Sequence, residues 1–487
     1  MSNRYLAFFL AWLLMPVFHT FGQSRGDLVS SQLIQSLSTA AVQSTLSANG
    51  FPPFIFPAEY PVDIYKVVYR TPAATGDSLT LASGLVLVPG DSCNLPEMIY
   101  NHGTLFYTMT LSDLMGDWFV GLSFATEGYL TIMPDYLGQG ETPLAHAHPF
   151  VHSETEASAV VDMIRASRVL ADDTLGLVRN GQSFMFGYSQ GGHVSMAALR
   201  SMQEEFPNEF HMDFTVAGSG PYDVSGITRD SLLFGTPSLN SSFFLTYVMM
   251  GYQYVYGNIW DQDPSEAFVA PYDSLVPLAY DRNAPFIGPL PLDPTVMLQP
   301  DFLADVIADS THPVNVALAD NDLYDWAPQT PVRLIYCEAD EEIPYQNATF
   351  TRDTMLTLGA SDIIAESQGA NNNHFDCAGP SIIYAKLRFA GLKATCNALS
   401  NEDPLANSLE VYPNPFADKL KINLATIPYS TSGTLNLMDL DGRLIRQEKL
   451  ESHNSTVSWD LAELPSGIYL VQLLTNNGSY RQTVLKM

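Results

Sequence analysis

The feature that most constrains the fold of this 487-residue chain is the G-x-S-x-G pattern at residues 187–191. The apolar run Ser183–Phe186 before it predicts a buried strand, and His193–Leu199 after it predicts a helix. A strand that turns this sharply into a helix holds Ser189 in a strained conformation with its hydroxyl exposed, and the two flanking glycines let neighbouring backbone approach closely. The pattern therefore predicts that Ser189 is a nucleophile.

Apolar runs and longer amphipathic segments alternate from about residue 60 to residue 395. This alternation predicts the α/β class, with a mostly parallel sheet covered by helices such as Ala157–Leu170 and Ile382–Leu392. The predicted strands are Tyr65–Tyr69, Leu79–Val88, Met98–Tyr100, Leu130–Met133, Phe184–Phe186, Phe214–Ala217, Val332–Tyr336 and Ile363–Ala365.

The alternation stops between Pro221 and Pro331, in a segment rich in Tyr, Phe, Met and Pro. Structureless loops of that length are rare in compact domains, so the segment is predicted to be an inserted cap, about residues 221–331, over the carboxyl ends of the strands. Within it, Ser231–Trp260 contains no charged residue. Its Pro, Asn, Gln and Ser residues argue for an apolar surface of a soluble domain rather than a membrane span.

A serine nucleophile needs a base to accept its proton, and in a sheet of this type the chain order is serine, acid, histidine. That order leaves His374, which lies between the last predicted strand and the last predicted helix. We therefore expect His374 to be the general base.

The strand Val332–Tyr336 is followed by Cys337-Glu-Ala-Asp-Glu-Glu-Ile-Pro344, in which four carboxylates compete for the role of the acid. The spacing D-x-x-I-P favours Asp340, where the chain turns away from the sheet. Glu338 is the second candidate, and Glu341 and Glu342 are expected to face solvent.

An oxyanion that develops during acyl transfer needs backbone N–H donors already in place. One is expected from Gln190, directly after the nucleophile at the start of a helix. The other is expected from the loop Asn101–Thr104, at the amide of Thr104.

This chemistry requires no cofactor. Asp320–Asp325 lacks the glycine and distal Glu of an EF-hand loop, and no metal site is predicted.

Four cysteines in an exported chain favour disulfides over metal ligation, and no C-x-x-C spacing suggests zinc. Three pairings are possible, and free buried thiols are the alternative. Cys337 and Cys377 follow the strand of Asp340 and the turn of His374, whose side chains must touch. We therefore predict a disulfide between Cys337 and Cys377, which leaves Cys93 to pair with Cys396.

The two ends of the chain differ from its middle. A basic residue, a short apolar stretch and small residues predict a signal peptide over residues 1–22. The polar, unpatterned residues 398–410 are interpreted as a linker, and residues 411–487 as a small β-sandwich, which leaves 23–397 as the main domain.

The net charge of −30 lies before residue 411, since the last segment carries seven basic and seven acidic residues. Such a charge argues against nucleic acid and anionic membranes as partners.

Several motifs of the main domain resemble those of the α/β-hydrolase superfamily, and specifically its capped secreted lipase and esterase branch. They are Tyr100–Thr104, Pro134–Gly140, Gly187–Gly192, Gly218–Asp223, Asp340–Pro344 and His374. The resemblance implies the α/β-hydrolase fold and a Ser189, Asp340, His374 triad. It does not exclude peptidases, which share the scaffold.

Residues 411–487 resemble the C-terminal sorting domain of cargo of the type IX secretion system of Bacteroidetes. The resemblance lies in Val411–Pro415, Leu440–Arg443, Leu464–Tyr469 and Lys486, and it implies a secretion machinery as partner. A carbohydrate-binding sandwich is the alternative.

These observations predict a serine hydrolase, secreted or at the cell surface, that cleaves a small-molecule ester or lipid as an esterase or lipase. The alternative within enzymes is a prolyl-oligopeptidase-like serine peptidase, for which no site for a substrate amino terminus is evident. A non-catalytic binding protein on the same fold is the alternative outside enzymes. The short apolar segment near the start, about 14 residues, argues against a transmembrane anchor.

Overall fold

The computed structural model describes residues 23–487 apart from residue 77 and residues 91–93, 106–108, 144–147, 281–289, 395–408, 425–431, 440–442, 452–455 and 476–477. The predicted signal peptide, most of the predicted linker, and the cysteines Cys93 and Cys396 lie outside the described residues.

The larger domain alternates strands and helices. Its strands are β1 (Leu28–Leu37), β2 (Val62–Pro72), β3 (Leu79–Pro89), β4 (Leu95–Asn101), β5 (Leu130–Pro134), β6 (Arg179–Tyr188), β7 (Phe214–Gly218), β8 (Val332–Tyr336) and β9 (Ile363–Ser367). Its helices are α1 (Thr39–Ala48), α2 (Trp118–Ala125), α3 (Ser153–Arg168), α4 (Gln190–Glu204), α5 (Arg229–Phe234), α6 (Ser241–Tyr256), α7 (Tyr272–Tyr280), α8 (Pro300–Ala308), α9 (Pro313–Asp320), α10 (Gln346–Thr357) and α11 (His374–Leu392).

In the described part of the chain these nine strands form one sheet in the order β1-β2-β3-β5-β4-β6-β7-β8-β9. The strands from β5 to β9 in that order pair in parallel, and β1, β2 and β3 are antiparallel. The predicted fold class is confirmed, and each predicted strand lies within an observed one. The sequence did not predict β1, because an edge strand that leaves Leu33 47% exposed carries no clear alternation.

Helices cover both faces of the sheet, as a parallel sheet with buried faces requires. Residues of α3, α4 and α10 join one apolar core, and residues of α1, α2 and α11 join the other. The central strands β4, β5 and β7 are buried along their whole length.

The chain between β7 and β8 forms a helical cap containing α5 to α9. It has its own apolar core, in which Tyr247 and Tyr252 of the uncharged segment are each 1% exposed. Phe150 and Val151, from the loop before α3, pack into that core. None of the described helices is long and apolar enough to cross a membrane.

The C-terminal strands are β10 (Glu410–Tyr412), β11 (Lys419–Asn423), β12 (Ser432–Met438), β13 (Leu444–Glu451), β14 (Thr456–Asp460), β15 (Gly467–Thr475) and β16 (Gly478–Lys486). Among the described residues they form an antiparallel three-stranded sheet, β10-β11-β14, and a four-stranded sheet, β13-β12-β15-β16. The two sheets enclose a core that includes the fully buried Trp459 and Phe416. The predicted small β-sandwich is confirmed.

Candidate active site

Ser189 lies in the turn between β6 and α4, at the carboxyl end of the parallel strands. Its φ of 59° and ψ of −123° are strained for a residue with a side chain. A Cβ at position 187 would lie 1.9 Å from the carbonyl oxygen of Gly191, and a Cβ at position 191 would lie 2.0 Å from that of Asn101. Only glycine fits at these two positions, and the tight turn presents the Ser189 hydroxyl to the cap.

The structure brings Ser189, His374 and Asp340 together. The Nε2 of His374 lies 2.9 Å from the Oγ of Ser189, and its Nδ1 lies 2.9 Å from both carboxylate oxygens of Asp340. A ring nitrogen between two carboxylate oxygens carries the proton, so Nε2 is left to accept the Ser189 proton. The Asp340 side chain is fully buried, and the His374 side chain is 9% exposed.

Backbone contacts fix the acid and the base independently of each other. One oxygen of Asp340 accepts hydrogen bonds from the N–H groups of Glu342 and Ile343, at 3.1 and 2.9 Å. His374 is the first residue of α11, and its carbonyl accepts a hydrogen bond from the Tyr188 hydroxyl at 2.5 Å. Strand β6 therefore holds both the serine and the histidine.

A disulfide joins Cys337 to Cys377, with Cα atoms 5.9 Å apart. Each cysteine lies three residues from a triad member, Asp340 on one side and His374 on the other. The predicted pairing of these two cysteines is confirmed.

The two backbone N–H groups predicted as oxyanion donors belong to residues that line the same cavity as Ser189. In the described part of the protein, the N–H groups of Gln190 and Thr104 make no hydrogen bond. Gly103 lies close to the nucleophile, since a Cβ there would be 3.4 Å from the Tyr188 carbonyl oxygen and 3.9 Å from the Ser189 Cβ. The hydroxyl of Thr104 is buried and also without a partner among the described residues.

An apolar cavity opens beside Ser189, beneath the cap. Its walls include Thr104, Gln190, Phe150, Phe244 and Ile343. A second apolar cavity lies deeper in the cap, between α5, α6, α8 and α9. The two cavities share the wall formed by Val224, Thr228, Leu232 and Val248.

Two family models match the chain. Residues 111–236 match the secretory lipases, and residues 410–487 match the secretion system C-terminal sorting domain. No protein with a curated description matches the chain significantly in sequence.

Solved structures match the larger domain. The esterase LipA of Xanthomonas oryzae, described as rice cell wall degrading, is 25% identical with a TM-score of 0.67, over 76% of this chain and 100% of that one. A protein of Legionella pneumophila described as a hydrolase is 26% identical with a TM-score of 0.69, over 77% and 100%. The larger domain is an α/β-hydrolase of the lipase and esterase type. Lipase A of Candida antarctica, 15% identical with a TM-score of 0.54 over 77% and 84%, shares the fold.

One expectation for the acidic turn of the hydrolase is wrong. Glu342 is only partly exposed, because its carboxylate accepts hydrogen bonds from Ser238 and Asn240 at 2.5 and 2.7 Å, just before cap helix α6. Glu341 is exposed, yet its carboxylate accepts a hydrogen bond from the backbone N–H of His374 at 3.1 Å. The sequence pattern did not indicate these contacts, since they depend on where the cap folds.

Sequence reasoning also missed a buried polar network behind Ser189. Its members are Glu156 of α3, His148, and the side chains of Gln190 and His193 of α4. The helical pattern of α3 places Glu156 in the first turn, where acidic residues are common for the helix dipole alone. Nothing in the sequence indicated that it meets α4.

No group of three or more His, Cys, Asp or Glu side chains that could hold a metal ion occurs within the described residues.

The stability of the hydrolase should fall as the pH falls from about 6.5 to about 4. Burial lowers the pKa values of His148 and His152 to about 4. Between these pH values the unfolded chain binds protons that the folded chain does not, and each histidine should cost about 3 kcal/mol of unfolding free energy by pH 4.

His152 offers a test, because its ring accepts a hydrogen bond from the Thr155 N–H as the N-cap of α3. His152→Asn keeps the cap and removes the titration, so it should flatten the acid loss measured by urea unfolding. His211→Asn, at a histidine whose side chain is 71% exposed, is the matched control. An equal effect of both substitutions would contradict the assignment.

Proposed function

We propose that this hydrolase is a secreted serine esterase that cleaves carboxylic esters through an acyl-enzyme on Ser189. The observation that carries the proposal is the chain of hydrogen bonds from Asp340 through His374 to the Ser189 hydroxyl, at the base of an apolar cavity. The secretory lipase match and the esterase LipA of Xanthomonas oryzae support an ester as substrate.

In the first half of the reaction, the Ser189 oxygen attacks the acyl carbon and its proton passes to Nε2 of His374. The C–O bond to the alcohol then breaks, and the alcohol leaves with that proton. The acyl group is left on Ser189. In the second half, water attacks this ester, gives a proton to His374, and the acid is released as the proton returns to the serine.

Both tetrahedral intermediates carry a negative oxygen, which we place against the N–H groups of Gln190 and Thr104. Donors without a partner in the free enzyme need no reorganisation when this charge develops. The dipole of α4, which begins at Gln190, favours the same charge. Asp340 keeps His374 in the tautomer that accepts the serine proton and stabilises the ring once it is charged.

The sorting-domain match and the predicted signal peptide support secretion or display at the cell surface. The C-terminal sandwich is then the part of the chain that the secretion machinery binds.

The two cavities indicate the acyl group that fits. We expect kcat/KM to rise from acetate to butyrate p-nitrophenyl esters, because two more buried CH₂ groups contribute up to about 1.6 kcal/mol, or about fifteenfold. Val248→Phe, in the shared wall, should flatten this rise by filling space that the acyl chain would occupy.

Val316→Phe is the control, since Val316 is a cap residue that is 55% exposed, and it should keep the wild-type profile. The same assays should include aminoacyl p-nitroanilides. Faster cleavage of an anilide than of every ester would favour the alternative function, a serine peptidase. A fall in kcat/KM from acetate upward would contradict the use of the deeper cavity.

A further inference from the structure

The side chains of the polar network behind Ser189 take part in none of the steps above. The side-chain Nε2 of Gln190 lies 2.8 Å from Oε1 of Glu156 and 2.9 Å from Nε2 of His148. The residues that form it, Gln190, Glu156, His148 and His193, are at most 2% exposed. Buried polar groups are costly unless each is satisfied, and the Oε1 of Gln190 has no partner among the described residues, so stability alone does not explain the arrangement.

Hydrogen bonding fixes the orientation of the Gln190 amide. The Nδ1 of His148 lies 2.7 Å from the carbonyl oxygen of Leu137, so this nitrogen carries the proton and Nε2 is an acceptor. Burial lowers the pKa of His148 to about 4, which keeps the ring neutral. Gln190 therefore donates one proton to His148 and the other to Glu156, and its side chain is held at two points.

His193 determines the charge of the network. Its Nδ1 lies 2.6 Å from the other oxygen of Glu156, and its Nε2 lies 3.1 Å from the carbonyl oxygen of Asn321. Nε2 must carry a proton to meet a carbonyl, and a second proton lies between Nδ1 and the carboxyl group. Wherever that second proton resides, the pair has no net charge.

We propose that Glu156 and His193 are a positioning pair for the oxyanion hole, an inference that rests on the proposed function. Glu156 anchors the side chain of Gln190, so that the Gln190 N–H stays aimed at the developing oxyanion. His193 cancels the negative charge that the anchor would otherwise bring near that oxyanion. An uncompensated carboxylate one side chain away would oppose the charge that catalysis must stabilise.

The charge role has a specific test in three variants assayed at about pH 8. His193→Asn keeps a donor to Glu156 but removes the compensating proton, and kcat should fall about tenfold to a hundredfold with KM within about twofold. Glu156→Gln can accept from Gln190 and donate to a neutral His193, so its kcat should stay within about threefold. The double variant should recover at least about fivefold of the kcat lost by His193→Asn.

The anchoring role is tested by Gln190→Met, which keeps the backbone N–H and the side-chain length but removes both hydrogen bonds. We expect the same selective loss of kcat, about tenfold or more. If His193→Asn does not fold, Gln190→Met still tests whether the network positions Gln190.

Glu97→Gln is the matched control. Glu97 is a 1% exposed carboxylate near the opposite ends of the strands, paired with Arg168 and Arg179. Its loss should lower the melting temperature and leave kcat within about twofold. Failure of Glu156→Gln to rescue His193→Asn, or a wild-type kcat in Gln190→Met, would overturn the pair's role. An active Ser189→Ala would instead overturn the proposed function.

Discussion

Ser189→Ala should lower kcat for p-nitrophenyl butyrate by at least about 10⁴-fold, because the members of a catalytic triad act as a unit. The Ser189 oxygen is the atom 2.9 Å from Nε2 of His374, and alanine has no group that could form the acyl-enzyme. His374→Ala should produce a loss of similar size, and the double variant should be little worse than either single one.

The folded state needs a separate measurement, since Ser189 occupies a strained turn. The thermal midpoint of Ser189→Ala should be equal to or above that of the wild type, because a serine removed from a strained functional site costs little stability. Ser201→Ala is the control, since Ser201 is a buried serine of α4 that lines neither cavity. It should keep activity within about twofold. Full activity of Ser189→Ala would exclude the acyl-enzyme mechanism.

Deletion of residues 410–487 should abolish release of the enzyme from a host with a type IX secretion system, while the purified truncated protein still cleaves esters. Ser189, Asp340 and His374 all precede the sandwich, and the hydrolase has its own two apolar cores. The deletion exposes some apolar surface, because the half-buried Ile468 and Leu485 pack against one of these cores. A modest loss of thermal stability is therefore expected as well.

Esterase activity is measured separately in the culture medium and in the cell fraction, and the two values distinguish the outcomes. Retention of activity in the cells and its loss from the medium supports a sorting role. Normal release without the sandwich would contradict it, and loss of activity in the purified truncated protein would make the sandwich part of the enzyme.

The sequence was most informative where one local pattern determines one geometry. Strand β8 was predicted at its observed bounds. The G-x-S-x-G pattern predicted the tight turn at Ser189, because only glycine fits at positions 187 and 191 of that turn. His374 followed from the order of elements along the chain, and Asp340 from the spacing D-x-x-I-P after β8. Their touching side chains in turn predicted the disulfide between Cys337 and Cys377, since two backbones that deliver contacting groups are neighbours.

The sequence was least informative about contacts between segments that lie far apart along the chain. Glu156 and His193 lie 37 residues apart on two helices, and nothing in either helical pattern indicates that they face each other. Glu342 was expected in solvent because its partners Ser238 and Asn240 lie about a hundred residues earlier, in the cap. Such contacts depend on tertiary packing, which local propensity does not contain.

The disulfide between Cys337 and Cys377 also gives the active site a dependence on its surroundings. In reducing compartments such cysteines remain free thiols, and in oxidising compartments they form disulfides. Without the disulfide, the turn that carries Asp340 and the helix start that carries His374 would be linked only by non-covalent contacts. After export, the covalent bond closes a loop of 40 residues that contains both groups. The acid and the base thus gain their covalent link only in an oxidising compartment.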